Sequence, residues 1–139
     1  MRNGIPLNDS DRWDWLIGLR NAATKQLQKS SAIVVTCSSL RRRYRDVFRI
    51  VPYNDPTVLV RFIYLKVDEE HLQARVAARA GHYMKEDMVH SQLECLEEPA
   101  PDEFDVVKVN VQRDLAVVFK DALASVRAKL NELEIDMKI

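Results

Sequence analysis

At 139 residues, 47% of them apolar, the chain is long enough for one domain with a real core and short for two. Its 21 Lys and Arg balance 21 Asp and Glu, so it lacks the basic excess that marks general nucleic-acid binding. Two widely separated cysteines, no bilayer-length apolar run and no basic-then-apolar start exclude a disulfide framework, a membrane span and a visible secretory signal, and imply a reducing, cytoplasmic setting.

The first predicted element is a helix. Asn8 or Asp9 is its N-cap, and Asp11 and Asp14 sit where the helix dipole favours negative charge. Trp15, Leu16, Leu19, Ala23 and Leu27 recur at helical spacing and form its apolar stripe. Next, the β-branched run Ala32–Ser39 predicts a strand buried on both faces. Then "LRRRYRDVFR" places Leu40, Tyr44, Val47 and Phe48 on one helical face and arginines on the rest. "IVPYNDPTVL", with two prolines and an Asn-Asp pair, reads as a loop.

A second buried strand is predicted over Val60–Val67. Asp68 caps the helix after it, which runs to Gly81, a suitable C′ residue. "HYMKED" reads as a mobile connection, and "MVHSQLECLEE" as a helix ended by Pro99 and Pro101. The third strand is Phe104–Val111. The last helix starts near Asp114, with Leu115, Val118, Phe119, Ala122, Val126, Leu130 and Leu133 as its core face. The tryptophans and methionines fall at helical intervals and read as core. Buried strands alternating with helices predict a parallel α/β sheet covered on both faces. Three strands are few for such a sheet, which usually has five or six.

Two constellations could carry chemistry. In open parallel sheets ligands bind beyond the carboxyl ends of strands. Ser38, Ser39 and the first N–H groups of the next helix lie at such an end, with Arg41, Arg42 and Arg45 nearby. This suits a carboxylate or phosphate held by charge-assisted hydrogen bonds; a solvated basic helix face gives the same pattern. The second constellation is "ARVAARAGHYMKEDMVHSQLECLEEP". Arg75 and Arg79 are four apart on one predicted helical face, and His82 follows the glycine that ends it. Arginines at a helix end beside a mobile segment suit a lid that grips phosphate and excludes water; surface arginines and a loop histidine are the plainer alternative. No histidine pair has a metal-ligand spacing. The three glycines, at 4, 18 and 81, start no G-x-x-x-x-G-K-[ST] phosphate loop.

The stretches "GIPLNDSDRWDWL", "VVTCSSLRRRYRD", "FIYLKVD", "ARVAARAGHYMKEDMVHSQLECLEEP" and "VVKVNV" together resemble the gluconokinase family, small P-loop sugar-acid kinases related in fold to shikimate and adenylate kinases. The resemblance covers nearly the whole chain. It implies a single domain over 1–139 with the three-layer α/β/α parallel sheet of the nucleoside-monophosphate-kinase-like type, and a lid at roughly 75–98. It implies transfer of the ATP γ-phosphoryl group, with Mg²⁺, to the 6-hydroxyl of D-gluconate, giving the 6-phosphogluconate of the pentose phosphate route. By the same resemblance Arg75 falls on the adenine side, Arg79 and His82 on the phosphate side of the lid, and Arg12, Ser38, Arg41, Arg42 and Gln92 toward gluconate or phosphate. Arg41 and Arg42 stand where family members usually carry two lysines, which keeps the charge and changes the donor geometry. D-gluconate and ATP are the implied partners, without nucleic acid or membrane; a homodimer is an arrangement the family pattern allows.

The departure from the pattern is as informative. Family members begin with a strand, a G-x-x-G-x-G-K-[ST] loop, a helix and a second strand ending in acidic residues, and only then reach a piece like Met1–Leu16. The expectation is therefore an incomplete fold, with the first strand, phosphate loop and second strand absent. The Mg²⁺ ligand would lie in that loop, so no metal residue is assigned here. The strand before the loop lies, in this fold, between the strands matching Ala32–Ser39 and Val60–Val67, whose edges are then left open. This chain alone is expected to be inactive. The alternative is a non-catalytic, shortened product that binds a partner subunit or a sugar acid. A different substrate, another polyhydroxy acid or shikimate, is disfavoured by the P-L-N-D-x-D-R stretch.

Overall fold

Residues 8–79 and 86–136 are described by the computed structural model of the chain. Helix α1 spans Asp9–Leu27 and starts where the sequence places its cap: Asn8 Oδ1 accepts from Asp11 N–H at 2.8 Å. That bond satisfies one of the four N–H groups a helix start leaves free. Helix α2 spans Arg42–Asn54 and packs on α1. Strand β1 is Phe62–Lys66, helix α3 Glu69–Ala78, helix α4 Glu86–Glu94, strand β2 Val106–Asn110 and helix α5 Leu115–Asp136.

β1 and β2 pair in parallel, with Phe62 opposite Val106 and Lys66 opposite Asn110. The connection between them carries α3 and α4, which pack on each other; Asp68 caps α3 by accepting from His71 N–H at 2.8 Å. The core has its centre at Leu16, Tyr44 and Val47, with Ile17, Cys37, Leu40 and Phe48 packed around them. Phe48 meets Phe62 edge-to-face at 6.5 Å, which joins the helical core to the sheet. Met88 and Val89 of α4, and Val109 and Val111 at β2, are also buried.

Several expectations are corrected. Ala32–Ser39 is not a strand: it has no ladder pairing among the described residues, Ser39 is left-handed at φ 38°, and Val34 is 95% exposed. β-branched residues favour extended backbone, but only a neighbouring edge makes a strand. α2 continues through the predicted loop to Asn54, with Pro52 inside its last turn. There proline costs only one late ladder bond, so the helix tolerates it. α3 stops at Ala78, because Arg79 is already extended (φ −88°, ψ 93°). α4 stops at Glu94, ahead of Pro99. Of the α1 stripe only Leu16 is buried, and Trp15 is 52% exposed, so the tryptophans are not core. α5 forms as predicted, yet Leu115 is 83% exposed and Phe119 and Leu130 are also exposed, so its apolar face is largely uncovered. "HYMKED" lies mostly outside the described residues, as do Gly81 and His82.

Candidate functional site

The first turns of α1 and α2 meet, and two guanidinium groups, those of Arg41 and Arg43, gather there around one carboxylate. Asp9 accepts from the Tyr44 hydroxyl and from Arg43, and Arg41 Nη1 lies 3.7 Å from its Oδ2. Asp9 is held below the usual carboxylate range, chiefly by the Tyr44 hydroxyl and further by Arg43 and Arg41. Arg41 Nη2 also reaches Cys95 Sγ, at 3.8 Å. Arg12, one turn into α1, is half-buried and feels both Tyr44 and Cys95. Burial opposes the Arg12 charge, and those two partners outweigh it and raise its pKa. Arg41 thus reaches the residue that follows α4. Gln92, half-buried, lies one turn before Cys95 on α4, and Ser38 is exposed on the turn that leads into α2.

That turn has a strained centre. Ser39 has φ 38°, a left-handed conformation unusual for a residue with a Cβ. Its hydroxyl donates to Cys37 Sγ at 3.3 Å, and its carbonyl accepts from Arg45 Nη1 at 3.1 Å.

The remaining sequence-predicted residues are placed differently. The Arg42 guanidinium is engaged by Asp102 in a two-point pair of 3.1 and 2.9 Å. Arg45 does not face solvent or a ligand. Its side chain is 4% exposed and grips Glu103, itself 1% exposed, at 2.7 and 2.9 Å. Arg75, in the last turn of α3, donates to the Val111 carbonyl at the end of β2. Arg79 is exposed and has left the helix, so it does not continue the Arg75 face. His82 lies outside the described residues.

Sequence reasoning missed the buried network behind the site. Arg49 joins it, bonding Asp105 at 2.7 and 2.8 Å, Glu103 at 2.7 Å and Asp46 at 2.8 Å. Glu103 is lowered to about 2, with Arg45 the main cause and the Ala100 N–H and Arg49 adding to it. A signal existed: "RRRYRDVFR" and "DEFD" are complementary blocks of charge, and Arg45 and Arg49 sit four apart on the flank of the apolar stripe. Away from this site, a groove of about 440 Å³ runs between α1 and the end of α2, lined in part by Arg20, Thr24, Ile50 and Asn54. It has none of the convergent charge of the Arg12–Arg41 cluster. Among the described residues no helix is long and apolar enough to cross a membrane.

No family model matches the chain. Solved structures give its class. A gluconokinase from Sinorhizobium meliloti superposes with a TM-score of 0.76 at 35% identity, covering 96% of this chain and 71% of that one. An unliganded sugar kinase from Janibacter sp. superposes at 0.77 and 34%, covering 89% and 68%. The described residues are therefore part of the α/β fold of the P-loop sugar kinases. Among curated relatives, a probable gluconokinase of Schizosaccharomyces pombe is 43% identical over 134 residues, 95% of this chain and 69% of its own length. The thermosensitive and thermoresistant gluconokinases of Escherichia coli are 38% and 36% identical, over 92% and 91% of this chain and 66% and 70% of theirs. The chain belongs to the gluconokinase family and spans about two thirds of the length of these relatives.

Use of gluconate, ATP and Mg²⁺ comes with that family. The donor set among the described residues does not fit Mg²⁺. Among the described residues no three His, Cys, Asp or Glu side chains gather to hold a metal, and the carboxylates of the site are each taken by arginine.

Proposed function

We propose that this chain supplies the sugar-acid side and the lid side, roughly 75–98, of a cytoplasmic gluconokinase, which phosphorylates the 6-hydroxyl of D-gluconate from ATP. The observation that supports the proposal is the Arg41 guanidinium, set between Cys95 Sγ and the Asp9 carboxylate that Tyr44 and Arg43 also hold, with Arg12 half-buried beside it. Two guanidiniums, Arg41 and Arg43, against the one Asp9 carboxylate leave a local positive excess, which a sugar-acid carboxylate neutralises. A planar fork of N–H donors matches a carboxylate at two points. Ser38 and Gln92, at the rim, supply hydrogen bonds for the hydroxyl groups of the chain. Arg42 takes part only by leaving Asp102, so its share is the smaller one. Arg75, Arg79 and His82 belong to the nucleotide and phosphate side, and what supports that role is the family pattern. The balanced charge favours these small anions over nucleic acid or membrane as partners.

The test is calorimetric titration of the chain with D-gluconate and with D-glucose, which lacks the carboxylate. Gluconate binds and glucose does not; Arg41→Gln and Arg12→Gln each weaken gluconate by about 1.5–3 kcal/mol, the worth of a hydrogen bond to a charged group. Equal affinity for the two sugars removes the proposal. Turnover to 6-phosphogluconate is expected only when the part of the S. pombe relative that lies outside the match is supplied.

A second reading is a non-catalytic chain that binds a partner. It is favoured by the uncovered Val34 and by the pairing of β1 on one edge alone among the described residues. Pull-down by a full-length gluconokinase subunit, without gluconate binding, distinguishes it.

A further inference from the structure

Glu97 falls within the "HSQLECLEEP" part of the stretch that resembles the family, with no role of its own assigned by that resemblance. It lies three residues beyond the end of α4, on the trailing arm of the lid region, and its backbone and side chain are stitched to the turn that carries Ser38 and Arg41. Its N–H donates to the Leu40 carbonyl at 2.7 Å. Its carbonyl accepts from Arg45 Nη1 at 3.1 Å. Its Oε2 accepts from the Arg42 N–H, the first of α2, at 3.0 Å. The usual cap for such a start is the side chain of the preceding residue. Here that residue is Arg41, which makes no capping bond, so Glu97 provides the cap from another part of the chain. A carboxylate is well suited to that place because the helix dipole is positive there.

The stitch has a rigid backing. Arg45 Nη1 holds the Ser39 and Glu97 carbonyls at once, while its other nitrogens are locked by buried Glu103. Glu103 also accepts from the Ala100 N–H at 2.8 Å, fixing the segment after Pro99. The left-handed Ser39 and the trailing arm of α4 are therefore referred to the same guanidinium. Moving α4 moves Cys95, against which Arg41 rests.

We infer that Glu97 is a positioning residue, which couples the placement of α4 to the geometry of the Ser38–Arg41 turn and so to the grip on the sugar acid. The inference rests on the gluconate reading above. Neighbouring Glu98 provides a built-in control, since its carboxylate goes to Tyr64 and Lys66 on β1 instead of to the turn.

The experiment compares the chain with Glu97→Ala, Glu97→Gln and Glu98→Ala, by D-gluconate titration and by amide hydrogen exchange. Glu97→Ala weakens gluconate about tenfold, through loss of the Arg42 N–H bond, and speeds exchange at Arg42 and along α4. Glu97→Gln, whose amide oxygen still accepts the Arg42 N–H, stays within about twofold of the parent, and Glu98→Ala does the same. Unchanged gluconate affinity in Glu97→Ala overturns the inference. So does a Glu97→Gln chain as weak as Glu97→Ala, since loss of charge and not of the bond is then responsible. If the parent chain binds no gluconate, the gluconate reading fails by itself. The exchange arm still decides the coupling: unchanged exchange at Arg42 and α4 in Glu97→Ala ends it.

Discussion

Glu103 shows how much one buried carboxylate can organise. It accepts from Arg45, Arg49 and the Ala100 N–H, and so joins α2 to the linker that leads into β2. Burying this group costs solvation, and the bonds to two guanidiniums offset it, which is why its pKa falls from 4.5 to about 2. A folded-state pKa below the unfolded one means the unfolded chain binds more protons in that range. The stabilisation is therefore full above about 4.5 and is lost as pH falls toward about 2. Urea denaturation between pH 2 and 6 checks this. Glu103→Gln should lose roughly 3 kcal/mol at neutral pH, the usual result of breaking a buried pair, and show a flatter decline in acid. Parallel pH curves for the two proteins would count against it. The asymmetry between this pair and the caps explains what the sequence could reveal. Asn8 and Asp68 bond to groups three residues away, so local spacing discloses them. Arg45 and Glu103 are 58 residues apart, and no local pattern makes an arginine inside a basic run a buried one.

At the scale of elements, α3 and α4 form a pair whose contact has a titratable seam. His90 on α4 lies 2.9 Å from Glu69 on α3 and 3.4 Å from Glu94 on its own helix. The hydrogen bond to Glu69 comes first among the causes that raise its pKa above the ordinary 6.5, followed by the charges of Glu69 and Glu94. With a raised folded-state value the sign is opposite to that of Glu103. The favourable contact is complete below 6.5 and is lost as pH rises through the raised value. An NMR titration of the His90 ring should give a value above 6.5, and Glu69→Gln should move it back toward 6.5. A value unchanged by Glu69→Gln removes the seam. Elements were legible where their determinants were internal: both helix caps, β1 and β2 within two residues at each end, and α5 all follow from pattern and cap chemistry. Ala32–Ser39 reads as a buried strand and is not one among the described residues, because a strand is a relation between two segments. The apolar face of α5 was read from its period, yet burial needs a partner surface that the period does not supply.

At the scale of the whole molecule, large apolar side chains stand exposed across several of the described elements. Much of the exposed area is apolar and falls on named residues: Val34 in the unpaired segment, Ile63 and Leu65 on β1, and Leu115, Phe119 and Leu130 on α5. Uncovered patches of this kind mark surfaces made for contact. An open strand edge adds unpaired backbone groups that seek another strand. Both features sit beside the sheet, whose order among the described residues is β1-β2 alone. The Asp9–Arg41 cluster is held by the packing of α1 on α2 and by the Arg45–Glu103 network. The chain by itself should therefore bind a hydrophobic dye such as ANS and melt over a broad range. Adding the part of the S. pombe relative outside the 134-residue match should abolish dye binding and sharpen the transition, because a covered sheet unfolds as one unit. A sharp melt with no dye binding by the chain alone, at micromolar concentration and sedimenting as a monomer, would show that these surfaces are covered from within. The same measurement on a dimer would assign the covering to a second copy.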